Sequence, residues 1–311
     1  MINILITEFL DKQVLNNLNK DFNIIYNEEI WQNRDYLEKE IHNFDGIIVR
    51  NKTNLDKSIL EKAVNLKYIG RLGVGLDNID TEYCNKNNIF VQPATGMNAD
   101  SVAEYVVNSS LILLKKTLIV SDQTRKGNWP RNTIVTNELK GKTLGLIGFG
   151  YIAKKVFKLA NSFDVSFITY DPFISFEQIE SFNVKKVSFN EILKLSDIIS
   201  IHVPLSEETK YMFNKQVFSK MEKKPIIINS SRGGIINERD LLDAYSNNII
   251  SGFALDVFEN EPIDEEFYKK ITKNMNCILT PHTAGVTEES NTRVSNFIVD
   301  TTNKFFQSLK D

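Results

Sequence analysis

The stretch TLGLIGFGYIAKKVFKLA, residues 143–160, constrains the fold more than any other part of this chain. An apolar run enters a glycine-rich turn and an amphipathic pattern leaves it, with Gly148, Gly150 and Ala153 spaced G-x-G-x-x-A. A second run, VSFITYD, ends in Asp171, 21 residues after Gly150. Strand, turn, helix, strand and acid in this order form the dinucleotide-binding fingerprint of a βαβ unit. Gly148 permits the tight turn, Gly150 lets the backbone approach a pyrophosphate, and Ala153 keeps the helix close to the strand. The helix N-terminus offers unpaired N–H groups and a partial positive charge to the phosphates. Asp171 accepts hydrogen bonds from ribose hydroxyls and repels a 2′-phosphate, which favours NAD over NADP.

The rest of the chain agrees with a parallel sheet. NILIT (3–7), FNIIY (22–26), GIIVR (46–50), KYIGR (67–71) and IFVQ (89–92) read as buried strands. Helical spacing lies between them, as in 33–44 and 55–64. Continuous apolar strands alternating with helices imply sheets covered on both faces. Residues 98–116 read as a long buried helix capped by Asp100 or Ser101, and 123–141 as a polar arm without a core face. A second series follows the fingerprint, with strands at 165–171, 197–203, 225–231, 252–257 and 277–281, a helix over 237–248 and a last helix over 288–310. Two such units without a flexible linker predict packed domains with a cleft for ligands.

Composition excludes several classes. A hydrophobic content of 42%, a charged content of 25% and a net charge of −3 describe a globular chain with no basic excess for nucleic acid. The only cysteines, Cys84 and Cys277, make neither a CxxC metal site nor a disulfide framework. No run suits a membrane helix and the apolar start lacks the features of a signal peptide, so a soluble cytoplasmic protein without a metal is expected.

Three further segments close predicted strands, where ligands of an open α/β sheet bind. They are INSSRGGIINERDLL with Arg232, ALDVFENEPI with Asp256 and Glu261, and LTPHTAG with His282. Together with RLGVGLDNID, KTLGLIGFG and IHVPL, in order and spacing, they make the chain resemble the NAD-dependent D-2-hydroxyacid dehydrogenases, in their phosphoglycerate-dehydrogenase-like branch. The resemblance runs from about residue 46 to the last helix. It implies a Rossmann-type doubly wound NAD-binding domain, 97–283, inserted into a smaller flavodoxin-like α/β substrate-binding domain made of 1–96 and 284–311.

The same resemblance assigns residues. Arg232, Glu261 and His282 fall on the catalytic positions. The chemistry suits them: an imidazole takes or gives the hydroxyl proton, a carboxylate fixes its tautomer, and a guanidinium fork holds the acid. Gly148, Gly150, Tyr151, Ile152, Asp171, His202, Pro204, Thr209, Ser230, Asp256 and Gly285 are implied to line NAD, with Asp256 on the nicotinamide amide. The turn Gly73, Val74, Gly75 is implied to bind the substrate carboxylate. His42 reads as a surface residue.

The substrate is implied to be a small 2-hydroxy or 2-oxo acid. Arg50, Asn51 and Lys52 lie where that branch binds a distal phosphate, and Arg131 lies on the arm that reaches a partner subunit. Asn51 departs from the small hydroxyl residue of that branch. A dianionic acid such as 3-phosphoglycerate or sulfolactate is therefore the leading expectation, and glyoxylate or hydroxypyruvate reduction the alternative. An NAD-sensing module of the corepressor kind is the reading from another class. The chain stops after its last helix, which predicts no serine-sensing domain. Apolar residues scattered over 117–141 suit a segment packed on a second subunit, and with the resemblance they imply a homodimer through the NAD-binding domain.

Overall fold

The computed structural model describes residues 1–271 and 275–309. The chain forms two compact units, residues 1–98 with 286–311, and residues 99–285.

The first unit is built on β1 (Ile2–Ile6), β2 (Phe22–Tyr26), β3 (Gly46–Val49), β4 (Tyr68–Arg71) and β5 (Phe90–Pro93). All pairs are parallel and the order is β2-β1-β3-β4-β5, the flavodoxin-like order. Alternate residues point to opposite faces, as strand geometry demands. Leu5, Ile47, Val49 and Ile69 enter one core with the helices Arg34–Glu40 and Lys57–Leu60. Ile4, Ile6, Ile48 and Tyr68 enter the other, beneath Val294, Ile298, Val299 and Phe306 of the helix Glu288–Ser308. That helix matches the segment expected over 288–310, except that Lys310 lies outside the described residues.

The second unit holds β6 (Thr143–Ile147), β7 (Ser166–Tyr170), β8 (Val184–Lys186), β9 (Ile198–Ile201), β10 (Ile226–Asn229), β11 (Gly252–Leu255) and β12 (Cys277–Leu279). They form one parallel sheet in the order β12-β11-β10-β9-β6-β7-β8. The chain winds outward in one direction from β6 to β8 and in the other from β9 to β12. The C-terminal ends of β6 and β9 therefore flank a topological switch point, where such sheets bind ligands. Ile227, Phe253 and Leu255 pack on one face, and Ile226, Ile228 and Ala254 on the other.

Some local expectations fail. The helix Ala99–Lys115 begins ahead of both proposed caps, so Asp100 and Ser101 lie in its first turn, and Asp100 instead pairs with Lys155 at 2.7 Å. The segment Thr117–Arg125 is helical although it buries no residue. The edge strand β8 was not anticipated, because three half-exposed residues, VKK, carry no apolar run. The helical pattern over 33–44 is met by Arg34–Glu40 and the 3₁₀ turn Ile41–Asn43 that continues it, whereas the pattern over 55–64 overruns the helix Lys57–Leu60.

Candidate active site

Three neighbouring strands deliver the expected catalytic side chains. β10, β11 and β12 are adjacent and parallel, so the residues that follow them leave the same edge of the sheet. Arg232 follows β10, Asp256 and Glu261 follow β11, and His282 follows β12.

The structure brings His282 and Glu261 together: imidazole Nδ1 lies 2.8 Å from Glu261 Oε2. The other carboxylate oxygen accepts the Phe258 N–H at 3.2 Å. A carboxylate on Nδ1 holds the proton there, so the neutral ring presents Nε2 as the acceptor. The His282 side chain is 47% exposed and open to a reactant.

His282 has φ +56, a conformation that costs a non-glycine residue free energy and needs support. Asp256 supplies it. The His282 N–H donates to the Asp256 carbonyl at 2.8 Å. The Asp256 carboxylate, 1% exposed, accepts the Thr283 and Ala284 N–H groups, each at 2.8 Å. The Thr280 hydroxyl lies 2.6 Å from Asp256 Oδ1 and 2.9 Å from the Tyr105 phenol. With one proton to give, it donates to the carboxylate and accepts from the phenol. Asp256 thus organises the histidine loop, a task its expected contact with nicotinamide did not suggest.

Arg232 stands in the turn after β10. Asn229 Nδ2 donates to its carbonyl at 2.9 Å and its Nη1 donates to the Ser231 carbonyl at 2.6 Å. Its neighbour Gly233 touches the strap of residues 257–261 that carries Glu261: a Cβ there would lie 1.7 Å from the Phe258 carbonyl oxygen.

The expected cofactor residues gather at the C-terminal ends of β6, β7, β9 and β10. Gly148 has φ +85, and a Cβ on it would lie 2.8 Å from the His202 carbonyl oxygen. Gly150 caps the helix Tyr151–Ala160 with an ordinary φ of −83, and a Cβ there would meet nothing within 4 Å. Ala153 is fully buried, while Tyr151 is exposed and Ile152 partly buried. Asp171 accepts the Phe149 and Phe173 N–H groups at 2.9 Å, one on each oxygen, leaving further lone pairs for hydroxyls.

Immediately after the adjacent strands β9 and β10, His202 Nε2 and Ser230 Oγ are buried without a hydrogen-bond partner among the described residues. Burial pushes the His202 imidazole down to about 3, so it is neutral. Thr209 closes its own turn by donating to the Pro204 carbonyl at 2.7 Å. Gly285 ends the unit, half-buried. The open space at Gly150 and the two orphaned polar atoms fit a dinucleotide.

In the first unit, the loop after β3 holds Arg50, Asn51 and Lys52. Glu8, 3% exposed, accepts the N–H groups of Arg50, Lys52 and Thr53 at 2.8, 3.0 and 2.9 Å. Arg50 Nη2 donates to Asn291 Oδ1 at 2.5 Å, and Lys52 Nζ lies 4.2 Å from the Trp31 ring centroid, a cation–π contact. The Gly73 turn is closed by its N–H on the Arg71 carbonyl and by the Ala94 N–H on its own carbonyl. Arg131 belongs to the second unit, in the 3₁₀ turn Pro130–Asn132, so it does not join the cations of the β3 loop within one unit. Sequence reasoning missed Glu8, Trp31, Asn291, Tyr105 and Thr280. His42 is exposed, as expected.

Comparison with known proteins shows which family the chain resembles over most of its length. Residues 107–284 match the family model described as D-isomer specific 2-hydroxyacid dehydrogenase, NAD binding domain. The chain is 36% identical over 301 residues to (S)-sulfolactate dehydrogenase of Chromohalobacter salexigens, covering 96% of this chain and 97% of that protein. It is 36% identical over 267 residues to D-3-phosphoglycerate dehydrogenase of Archaeoglobus fulgidus, covering 86% of this chain but 50% of that protein, so it spans about half of that relative's length. A crystal structure of D-lactate dehydrogenase from Aquifex aeolicus, complexed with NAD and lactic acid, superposes with a TM-score of 0.83 at 28% identity, covering 98% of this chain and 96% of that one. The chain therefore belongs to the D-isomer-specific 2-hydroxyacid dehydrogenases, NAD-dependent enzymes that act on the CH–OH group of their donors.

Proposed function

We propose that this enzyme oxidises, or forms by reduction, a three-carbon D-2-hydroxy acid that carries a second anionic group at C3, a phosphate or a sulfonate. The observation that carries the reading is the β3 loop, where the side chains of Arg50 and Lys52 stand on a backbone stapled by Glu8. A loop fixed through three N–H groups presents two cations without ordering them anew for each substrate. The full-length similarity to an (S)-sulfolactate dehydrogenase supports the sulfonate arm. The label S does not oppose D specificity: sulfur on C3 outranks the carboxyl group and reverses the descriptor without changing the arrangement in space.

His282 Nε2 takes the C2 hydroxyl proton during oxidation and returns it during reduction. Glu261 keeps the opposite proton on Nδ1 and stabilises the imidazolium that forms. Arg232 holds the C1 carboxylate and the C2 oxygen through its donor fork, helped by the N–H groups of Val74 and Gly75, since that of Gly73 closes the turn on Arg71. Gly148, Gly150 and the first turn of Tyr151–Ala160 would hold the pyrophosphate of NAD, and Asp171 its adenosine ribose. His202, Pro204, Thr209, Ser230, Asp256 and Gly285 would line the remainder. Bound there, NAD would supply the hydride acceptor for C2, and its reduced form the donor. A homodimer through the 117–141 arm completes the proposal: Trp129 and Val135 are 78% and 80% exposed there and Leu118 is half-exposed, apolar area that a second subunit would cover.

The test is NADH formation with D-3-phosphoglycerate, both sulfolactate enantiomers, D-glycerate and D-lactate, with the 2-oxo acids run in reverse. A dianionic acid should exceed D-glycerate and D-lactate in kcat/KM by roughly 100-fold or more, since losing two charge-assisted contacts costs about 3 kcal/mol. Arg50→Met should erase most of that margin. Equal turnover of monoanionic acids would sink the anion-site reading and leave glyoxylate or hydroxypyruvate reduction in its place.

A further inference from the structure

Two acids outside the His282–Glu261 pair form a clamp on the strap that carries it. Glu238 is the first residue of the helix Glu238–Ser246 and is 9% exposed. Its backbone N–H donates to Glu259 Oε1 at 2.8 Å, and the Glu259 N–H donates back to Glu238 Oε1 at 2.6 Å. The Tyr211 hydroxyl donates to the other Glu259 oxygen at 2.9 Å. Gly233 presses on the Phe258 carbonyl from another side. Residues 258 and 259 are thus fixed at several points. Glu261 comes two residues later and is tied back to the Phe258 N–H while its second oxygen meets His282.

We propose that Glu238 is a positioning residue: crossed with Glu259, it holds the strap in register, and its proton sets how firmly Glu261 is presented to His282. The inference rests on reading His282 and Glu261 as the acid–base pair.

The electrostatics give the clamp two states. Glu238 faces Glu259, Glu261 and Asp264 from the strap and the residues after it. Tyr211 reaches it through Glu259, and Lys270 of the following helix offsets Asp264. Burial, then the three neighbouring acids, push Glu238 up to about 7, against the pull of the Glu259 N–H. Protonated, Glu238 accepts the Glu259 N–H through its carbonyl oxygen and adds no charge. Ionised, it accepts the Glu259 N–H more strongly but sets a buried negative charge against Glu259, Glu261 and Asp264, which repel it. On this proposal the combined repulsion of the three acids prevails, so the clamp is closed below neutrality and loosens above it.

The experiment measures kcat with NADH from about pH 5.5 to 9 for the wild type, Glu238→Gln, Glu238→Ala and His282→Asn. The oxo acid is the one turned over fastest among 3-sulfopyruvate, 3-phosphohydroxypyruvate, hydroxypyruvate and glyoxylate. Glutamine copies the protonated acid, so E238Q should keep the low-pH kcat within about threefold and lose one ionisation near neutrality from the profile. E238A should lower kcat roughly tenfold or more while the NADH KM stays within about twofold, because a displaced Glu261 misaligns the proton transfer and leaves the β6 turn untouched. An E238Q profile superimposable on that of the wild type overturns the proposal even if E238A fails to fold. So does a loss confined to the NADH KM. A full kcat in His282→Asn would instead overturn the acid–base reading itself.

Discussion

Replacing Gly150 by alanine separates a glycine kept for a ligand from one kept for the fold. The backbone at Gly150 has φ −83, which any L-residue adopts, and a Cβ would meet nothing within 4 Å. Alanine restricts the unfolded chain, which stabilises by about 0.4–1 kcal/mol, and is a poorer helix cap than glycine, which costs a similar amount. The net change in stability should fall within about 0.5 kcal/mol. Affinity should behave otherwise. On the proposed binding mode, a methyl group at Gly150 enters the space of the pyrophosphate and displaces it from the N–H groups of the helix Tyr151–Ala160. Losing one charge-assisted hydrogen bond costs about 1.5–3 kcal/mol, roughly 10- to 150-fold in Kd. The assay is calorimetric titration of NADH into Gly150→Ala, beside thermal unfolding of the apo form. Gly148→Ala is the contrast, because its φ is +85 and its Cβ would strike the His202 carbonyl at 2.8 Å. That variant should unfold at a clearly lower temperature before any ligand is added. An NADH Kd within twofold of the wild type for Gly150→Ala would refute the reasoning, as would an apo form destabilised as much as Gly148→Ala.

Other outcomes follow from the same geometry. His282→Asn should lower kcat by about 100- to 10,000-fold with the NADH Kd nearly unchanged, read by steady-state kinetics and titration. Glu8→Gln keeps one acceptor oxygen for three backbone donors, so it should cost about 1–3 kcal/mol in urea unfolding and raise KM for the acid more than it changes kcat. Glu238 sits at about 7 in the folded chain against an ordinary 4.5. The native state therefore holds a proton that the unfolded chain has released. This contribution is complete below about pH 4.5 and is lost as pH rises to about 7, a swing of about 3 kcal/mol. The stability difference between wild type and Glu238→Gln should drift by that sign and order between pH 4.5 and 8, and a flat difference would contradict it.

The parts legible in the sequence are those in which residue type alone sets the outcome. Runs such as PIIINSS and DIISIHV become strands because apolar residues without interruption suit only a sheet buried on both faces. The fingerprint was readable because its glycine spacing is a sequence pattern: Gly148 is required by its φ of +85, whereas nothing in the fold itself demands glycine at Gly150. Glu261 and His282 follow predicted strands, but it is the family resemblance carried by several motifs in order that marks them. Helix limits were less legible: Leu55–Val64 has helical spacing, but only Lys57–Leu60 keeps the helix, since tertiary contacts decide where such short segments stop.

What stayed hidden has one physical form. Glu8 holds the β3 loop, Asp171 the turn after β6, Asp256 the histidine loop, and Glu238 with Glu259 the strap of Glu261. In each case a carboxylate accepts backbone N–H groups from a loop at the C-terminal end of a parallel strand. Such loops lack the ladder bonds of the strand they leave, and an unpaired buried N–H costs about as much as a lost hydrogen bond. A shared acceptor with two oxygens satisfies several at once and fixes the loop in one conformation. Every residue but proline carries an N–H, so nothing in the sequence marks which ones an acid will choose. Glu8 lies in an ordinary TEF segment 42 residues from Arg50, and only the fold joins them. The reacting groups are therefore written in residue identity, while their alignment is written in backbone pairings that the folded sheet alone brings about.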